Sequence, residues 1–599
     1  MSNIMSQVKL KNNPSRDGYD YSRKLAYTAK VGELLPVECI EIIPGDTAKI
    51  QVQHFTRTMP VNTPAYTRMR EYYDWFFVPT NTLWSNFNSF VAQLTDNPSV
   101  AQSIKLNSEL SDTHPYFTTK NIERYLTKIK DLSQGLEFTY SKNIFGYDRA
   151  YQSAKLLSYL GYGNYYRAAG VDSQPQNLDE DVMLNPFPML AYQKIYQDYY
   201  RYSAWESSYA PACNIDYITN NSNLLIDLNQ ADYKTENMLD LRYANWNKDY
   251  FMGLLPNSQY GDMAYVDLSS IVNINATDGF NLINANGSQS VTTSSSGKLS
   301  AGGNTWWQLD SNAVSSIAKS MGYTTENLSR AFTILALRQA EASQKWKEIT
   351  QSNRRDYPSQ IRAHFGVSPS DSLSHLCQFI DGGVSQLDID EVANQNLADD
   401  NAVTLGGKGI GTGDSSLKFE SKVHGYLMCI YHCKPILDFK IDGIKKRNLK
   451  TKVSDYAIPE FDKTGMVRMP LIELNYSKFN IEHYIPNESN FLLGYAPQYY
   501  EYKTQYDEVL GAFAHGTLSN WTAPMSREYL KNYFAQQFTL TGTMDISYLF
   551  FKIPPSVVNP IFVGQVTETY NDLDTDQLLI NCFFDMKLVR NLDRNGLPY

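Results

Sequence analysis

The chain has 599 residues, of which 42% are hydrophobic and 19% charged, with a formal net charge of −10. That hydrophobic fraction supports large cores and excludes wholesale disorder. The acidic balance argues against a dedicated nucleic-acid binder, and no apolar run approaches the roughly 18 residues of a membrane helix.

The N-terminal segment MSNIMSQVKLKNNPSRDGYDYSRK lacks a hydrophobic export region, so no Sec signal is expected. It is basic: Lys9, Lys11, Arg16, Arg23, Lys24 and Lys30 outnumber Asp17 and Asp20. Strand patterning begins between Glu33 and Pro79, where Pro44-Gly45-Asp46 is a turn between two extended stretches. Further on, Tyr73, Trp75 and Phe77 alternate with Tyr72, Asp74 and Phe76. A helix is expected from Pro188, with Tyr192, Ile195, Tyr196, Tyr199 and Tyr202 recurring at helical spacing.

Residues 284–304 are rich in Ser, Gly and Asn and read as a loop. A second helix is expected after Thr324 or Thr325, with Leu328, Ala331, Phe332, Leu335, Ala342, Trp346 and Ile349 as its apolar stripe, ending before Asn353. Residues 385–416 run through an acidic tract into GGKGIGTGD and also read as a loop. Between Phe419 and Pro435 the pattern is a strand buried on both faces. In LLINCFFDMKLV, Ile580, Cys582, Phe584, Met586 and Leu588 form an apolar face of period two. The reading is mainly β: one domain over 1–599, with strand-rich core segments at 31–84, 419–436 and 534–592. Partly helical insertions are expected at 85–418 and 437–533.

Motifs for chemistry are absent or fail on spacing. In GGKGIGTGD, Lys408 is followed by Gly409 and not by Ser or Thr, so the phosphate-loop pattern is broken. Asp572, Asp574 and Asp576 mimic the start of a calcium loop, but Gln577 and Phe583 stand where Gly and Glu are needed, leaving a solvated acidic turn. His424, Cys429, His432 and Cys433 lie on a strand, which sets Cys429 and Cys433 about 13 Å apart, too far for one zinc ion. Core packing is the better reading. Neither a G-x-S-x-G elbow nor an H-E-x-x-H helix occurs. No catalytic residue, metal site or cofactor is therefore expected.

Six scattered cysteines read as reduced thiols of a chain that folds in cytoplasm. The 44 tyrosines pair large apolar rings with polar tips, which suits a protein hiding much of its surface against other chains. From Lys434 to Lys452, Lys434, Lys440, Lys445, Lys446, Arg447, Lys450 and Lys452 face only Asp438 and Asp442, a local +5. Such a run is either a solvated or ion-paired surface or a patch that neutralises phosphates. Tyr431 and Phe439 are its candidate stacking rings.

Several stretches together resemble one family. VGELLPVECIEIIPGDTAKI with TRMREYYDWFFVPTNTLW (within Val31 to Trp84), NPFPMLAYQKIYQDYYR and KDYFMGLLP are followed by LSRAFTILALRQAEASQKWKEI and RRDYPSQIRAHFGVSP. HGYLMCIYHCKP, IPEFDKTGM and GYAPQYYEYKTQYDEVLGAF then complete a collinear series. The series resembles the F-type major capsid protein of the Microviridae, in particular its gokushovirus-like branch. The resemblance implies an eight-stranded antiparallel jelly roll in two sheets with long insertions. It also implies a structural protein of the virion: identical subunits forming a small icosahedral, T=1-like shell around circular single-stranded DNA, assembled in the host cytoplasm without membrane insertion.

In that reading Lys445, Lys446, Arg447 and Lys450 are the first candidates to face DNA non-specifically, with Lys9 and Lys11 second. An exterior protrusion is expected within 260–310, with exposed loops meeting a host receptor. A scaffolding or small DNA-binding companion is a further expected partner. The competing reading is an aromatic-rich glycan-binding protein or glycoside hydrolase. It would need an export signal.

Overall fold

In the computed structural model the alternating segments become strands, and most of them join one sheet. The structure describes residues 14–61, 68–92, 113–132, 149–170, 181–218, 226, 238–261, 280–284, 287–293, 298–301, 305–308, 334–369, 375–393, 405–436, 438–440, 442–476, 492–515, 518–519, 522–524, 546–555, 562 and 576–594. Near the N-terminus lie β1 (Asp17–Asp20), β2 (Arg23–Ala29), β3 (Leu35–Ile42), β4 (Thr47–Thr58) and β5 (Arg68–Pro79). Helices α1 (Thr119–Leu132), α2 (Arg149–Tyr159) and α3 (Phe187–Ile195) follow. Then come four short strands, β6 (Phe280–Asn284), β7 (Gly287–Thr293), β8 (Lys298–Ala301) and β9 (Thr305–Gln308), and helices α4 (Ile334–Ser352) and α5 (Tyr357–Phe365). The chain continues through β10 (Gln378–Ala393), β11 (Leu405–Glu420), β12 (Gly425–Ile436), β13 (Met466–Pro470), β14 (Leu492–Pro497) and β15 (Leu578–Arg590).

The main sheet runs β1–β15–β4–β11–β10–β5–β12–β3, with β2 also on β15. All its ladders are antiparallel. Because β1 pairs with Lys587–Arg590 and β2 with Leu578–Phe584, the two are successive pieces along one edge of β15. Among the described residues, nine strands thus fill eight places. The architecture is mainly antiparallel β and jelly-roll-like. β13 and β14 form a separate antiparallel pair.

The predicted apolar face of β15 is buried at every position from Ile580 to Leu588, while Leu579, Asn581, Phe583 and Lys587 are exposed. β12 is buried on both faces, as its sequence indicates. It lies between β5 and the edge strand β3, and α3 packs on β5 and β12 while α2 packs on β3. Pro188 sits in the first turn of α3, where its missing N–H has no intrahelical partner to lose. The helix ends in a π-turn over Tyr196–Tyr200.

Tyrosine is concentrated in the interior more than composition alone suggested. Tyr73, Tyr125, Tyr151, Tyr192, Tyr196, Tyr243 and Tyr431 are among the largest fully buried side chains. Several of their hydroxyls have partners inside the chain: Tyr192 donates to the Leu34 carbonyl (2.9 Å) and Tyr431 to Glu71 (2.7 Å), while Tyr73 meets Tyr27 at 3.0 Å. Phenols suit a core whose strands leave polar groups to be satisfied.

Three expectations are corrected. The 385–416 stretch is not one loop, since residues 385–393 belong to β10 and 405–416 to β11, both inside the main sheet. They lie within the span read as an insertion. GGKGIGTGD is strand, held by register to β4 on one side and β10 on the other. Tertiary pairing overrides the poor strand propensity of glycine here. A Cβ at Gly411 would lie 2.6 Å from Glu71 Oε2 and 2.9 Å from Leu387 Cδ1, so glycine makes room for buried neighbours.

The 284–304 stretch is likewise strand in part, β6 to β9 forming an antiparallel meander. Its backbone pairing needs no apolar alternation, which is why the sequence hides it. It belongs to a compact unit of residues 259–353, separate from the unit formed by 1–258 and 354–599. In this second unit α4 ends before Asn353 as expected, whereas Thr324, Thr325, Leu328, Ala331 and Phe332 lie outside the described residues.

The third correction concerns Asp576, which is buried and not part of a solvated turn; Asp572 and Asp574 lie outside the described residues. Lys155 Nζ lies 2.8 Å from Glu33 and 3.1 Å from Asp576, and Lys30 Nζ lies 3.3 Å from Asp576. Thr28 donates to Asp576 at 2.5 Å. None of the four charged groups is more than 2% exposed. Burial works against the Lys155 charge, but Asp576 and Glu33 outweigh it and hold its pKa well above the usual lysine value. For Asp576, burial raises the pKa, yet Lys155 and Lys30 prevail and lower it.

Lys155→Met should therefore cost about 3–5 kcal/mol by leaving two carboxylates short of a cation, read from urea denaturation. Because the folded pKa of Asp576 is depressed, its contribution is complete above the unfolded value of about 3.9 and is lost as pH falls through the folded one. Asp576→Asn should flatten that acid limb in a series of denaturant midpoints against pH.

Candidate nucleic-acid interface

The segment carrying the basic run is pinned to its neighbour by backbone. Ile444 N–H donates to the Ile472 carbonyl (2.9 Å) and Tyr476 N–H to that of Asp442 (3.1 Å). A Cβ at Gly443 would fall 2.1 Å from the Glu473 carbonyl oxygen, so only glycine allows the approach. The chain then makes a 3-10 turn over Lys446–Asn448. Across from it, Tyr499 takes a left-handed conformation (φ 57°) at the start of the helical turn Tyr500–Lys503. Such a backbone is uncommon for a large residue; here it leads directly into Tyr500, Glu501 and Tyr502.

These pieces enclose a cleft of about 330 Å³. All four leading candidates, Lys445, Lys446, Arg447 and Lys450, line it together with Tyr250, Phe251, Tyr456, Tyr502 and Tyr506. Three of the cations have carboxylate partners. Lys445 Nζ is 2.5 Å from Glu508, Lys446 Nζ 3.6 Å from Glu473, and Lys450 Nζ 2.7 Å from Glu501. Arg447 is exposed, with no carboxylate within 4 Å among the described residues.

Rings accompany the charges. Lys450 Nζ lies 3.9 Å from the centre of the Tyr502 ring and Lys445 Nζ 5.8 Å from that of Tyr506. Contacts of this kind stabilise a cation at a half-wet surface. For Lys450, burial disfavours the charge, but the bonds to Glu501 and Tyr502 outweigh it and raise the pKa. Glu473 is buried and accepts from Tyr500 (2.5 Å) and Tyr250 (2.9 Å). Desolvation raises its pKa despite those bonds and Lys446.

The arrangement offers cations beside aromatic faces, a chemistry suited to phosphate and base contacts. The tyrosines and glutamates of the cleft were not singled out from sequence. Their signal lay in the Tyr/Glu-rich YYEYKTQYDE segment, whose distance along the chain from the basic run hid the pairing.

Other candidates fall elsewhere. Lys9 and Lys11 lie outside the described residues. Lys434 is mostly buried, 5.5 Å from the centre of the Tyr72 ring, and desolvation lowers its pKa. Tyr431 is fully buried and bonded to Glu71, so it is a core residue and not a stacking ring. His432 stacks on Tyr72 with ring centres 4.7 Å apart, and burial drives its pKa well below the usual value. Cys429 and Cys433 are buried free thiols, consistent with core packing. Among the described residues no cluster of His, Cys, Asp or Glu is arranged to hold a metal ion. No described helix is long and apolar enough to cross a membrane.

Glu473→Ala should remove the acceptor of two tyrosine hydroxyls and the partner of Lys446. A loss of about 1–3 kcal/mol is expected, measured by denaturant unfolding, with Glu473→Gln retaining more of the stability than Ala.

Comparison with known proteins adds a second line of observation. A family model described as "Capsid protein (F protein)" matches residues 6–174 and 161–544. Capsid protein VP1 of Bdellovibrio phage phiMH2K is 24% identical over 552 residues, covering 86% of this chain and 85% of its own. Capsid protein VP1 of Chlamydia phage 1 is 22% identical over 589 residues, covering 88% of each.

Proposed function

The chain belongs to the phage capsid F protein family, and on that premise we propose that identical copies close into a T=1-like icosahedral shell around circular single-stranded DNA. That it is a major capsid protein, a structural component of the virion and not an enzyme, follows from the family and its relatives. The glycan-binding and glycoside hydrolase alternatives have no place in that family.

The cleft built by Lys445, Lys446, Arg447 and Lys450 carries the DNA reading. Cations and tyrosine rings converge there although the chain as a whole is acidic. The carboxylate partners do not remove the site's capacity. A polyanion brings phosphates that compete for the same ammonium groups, and Arg447 is exposed on the rim. Contacts of this type position a strand without reading its sequence. Lys9 and Lys11 are the second candidates, in a segment whose net charge is positive.

The exterior protrusion is assigned to the 260–310 region. Support comes from the compact unit of residues 259–353, which has its own meander and helix and, among the described residues, no strand in the main sheet. An insertion of that kind can vary without disturbing the shell-forming sheet, and host receptor contact belongs on such a tip. A scaffolding or small DNA-binding companion would supply further neutralisation of the genome, since the chain itself is acidic.

Replacing Lys445, Lys446, Arg447 and Lys450 with glutamine should lower the DNA content of purified particles while the subunit still folds, since no like charge is set against Glu473, Glu501 and Glu508. Absorbance ratios and nuclease-protected DNA measure the first, and circular dichroism the second. Unchanged DNA content would remove this cleft as the contact.

A further inference from the structure

Helix α5 is well capped yet buries none of its residues. Asp356 accepts from the Ser359 N–H (3.2 Å) at its start, and Gly366 closes it in the left-handed region. Tyr357, Ile361 and Phe365 recur every four residues and so share one face. Tyr357 is 67% exposed, Phe365 72% and the following Val367 60%. Arg355 and Arg362 are also exposed, and no carboxylate lies within 4 Å of either among the described residues. An apolar stripe with unneutralised cations beside it, on a chain of net charge −10, suits an apolar partner that brings a free carboxylate.

The same chain carries a second exposed apolar surface, in which Lys452 and Lys463 stand among Asp455, Glu460 and Asp462. Residues 451–464 are exposed almost throughout and contain two short 3-10 turns. Val453 is 81% and Phe461 53% exposed. Next to Phe461, Glu460 is exposed with no cation within 4 Å among the described residues, whereas Asp462 is already paired to Lys503 (2.5 Å). The unpaired glutamate and the bare Phe461 match the unpaired arginines and the bare Phe365.

We infer that α5 of one copy docks on the 451–464 segment of a neighbouring copy, with Phe365 and Val367 against Val453 and Phe461 and Arg362 facing Glu460. The inference rests on the shell reading above. Two different patches of one chain meeting in this way form a heterologous contact, the kind that closes into a ring when the rotation is right. A nucleic acid would also accept the arginines, but it leaves the aliphatic Ile361 and Val367 unexplained and makes no use of Glu460.

The test is a charge swap in the full-length chain, produced with the other virion proteins. Arg362→Glu and Glu460→Arg should each lower particle yield on sucrose gradients by about tenfold or more. Arg362→Lys should assemble, and the double variant should return most of the yield. Phe365→Ser should block assembly without shifting the melting curve of the free subunit, because the side chain is exposed there. Normal particle yield from both single swaps would overturn the contact. So would loss in the singles that the double variant does not repair. Normal yield with reduced DNA content would assign α5 to nucleic acid and equally overturn it. If the parent chain itself gave no particles, the shell reading would fall, and the contact with it.

Discussion

The structure depends on β15 being inserted between the first strands of the chain and β4. The last described strand pairs with Arg23–Ala29 on one side and Thr47–Thr58 on the other, and Tyr19 donates to the carbonyl of Leu592 across 573 residues of sequence. Nothing local can form this contact. Every insertion between β5 and β15 has to leave and return to a sheet whose two edges, β1 with β2 and β3, both come from the start of the chain. Beside that junction sits the buried set of Lys30, Glu33, Lys155 and Asp576, drawn from the start of the chain, α2 and the approach to β15. Removing any one member strands a charge in the interior, so the set acts as a register check on the closure. Contacts of such long sequence separation also make slow folding the expectation.

A capsid subunit needs a rigid interior and a surface free for neighbours and genome, and the tyrosines divide between these duties. At the heart of the sheet the hydroxyls of Tyr27 and Tyr73 meet each other, Tyr73 meets Cys582, and Tyr431 donates to Glu71. Tyr357, Tyr476 and Tyr502 remain exposed. The same residue type serves both because its ring tolerates burial and its hydroxyl tolerates water. The basic run is treated in a similar double way. Its lysines are held by glutamates in the free subunit, which keeps the cleft folded, while their charge remains available to a competing polyanion.

Much of the sheet was legible from residues alone. The period-two face of β15, the doubly buried β12 and the turn at Pro44-Gly45-Asp46 each follow from local patterning, because burial on one or both faces dictates the alternation. The helix from Pro188 was legible for the same reason at a different period. The strands that escaped notice, β10 and β11, are rich in glycine and acid. They are strands only because β4 and β5 offer them backbone partners, and Gly411 is glycine only because Glu71 and Leu387 need the space. The meander of β6 to β9 escaped for want of any apolar alternation.

The candidate site shows the same division. The density of lysine and arginine between 445 and 450 is a property of the sequence, as is the absence of catalytic and metal-binding motifs. So is the collinear series of segments that identifies the family. The partners of those cations could not be read along the chain, since Glu473, Glu501, Glu508 and Tyr250 reach the cleft from distant segments. Asp576 shows the contrast at a single residue: its neighbours Asp572 and Asp574 suggest a wet turn, yet two lysines from remote parts of the chain hold it in the core. Sequence by itself determined the mainly β class and the places where charge accumulates, because these depend on composition and short-range period, and the family through its collinear segments. Tertiary structure alone decided which charges are buried, which are paired and which surfaces stay bare, because desolvation and pairing depend on what the rest of the chain brings within a few ångströms.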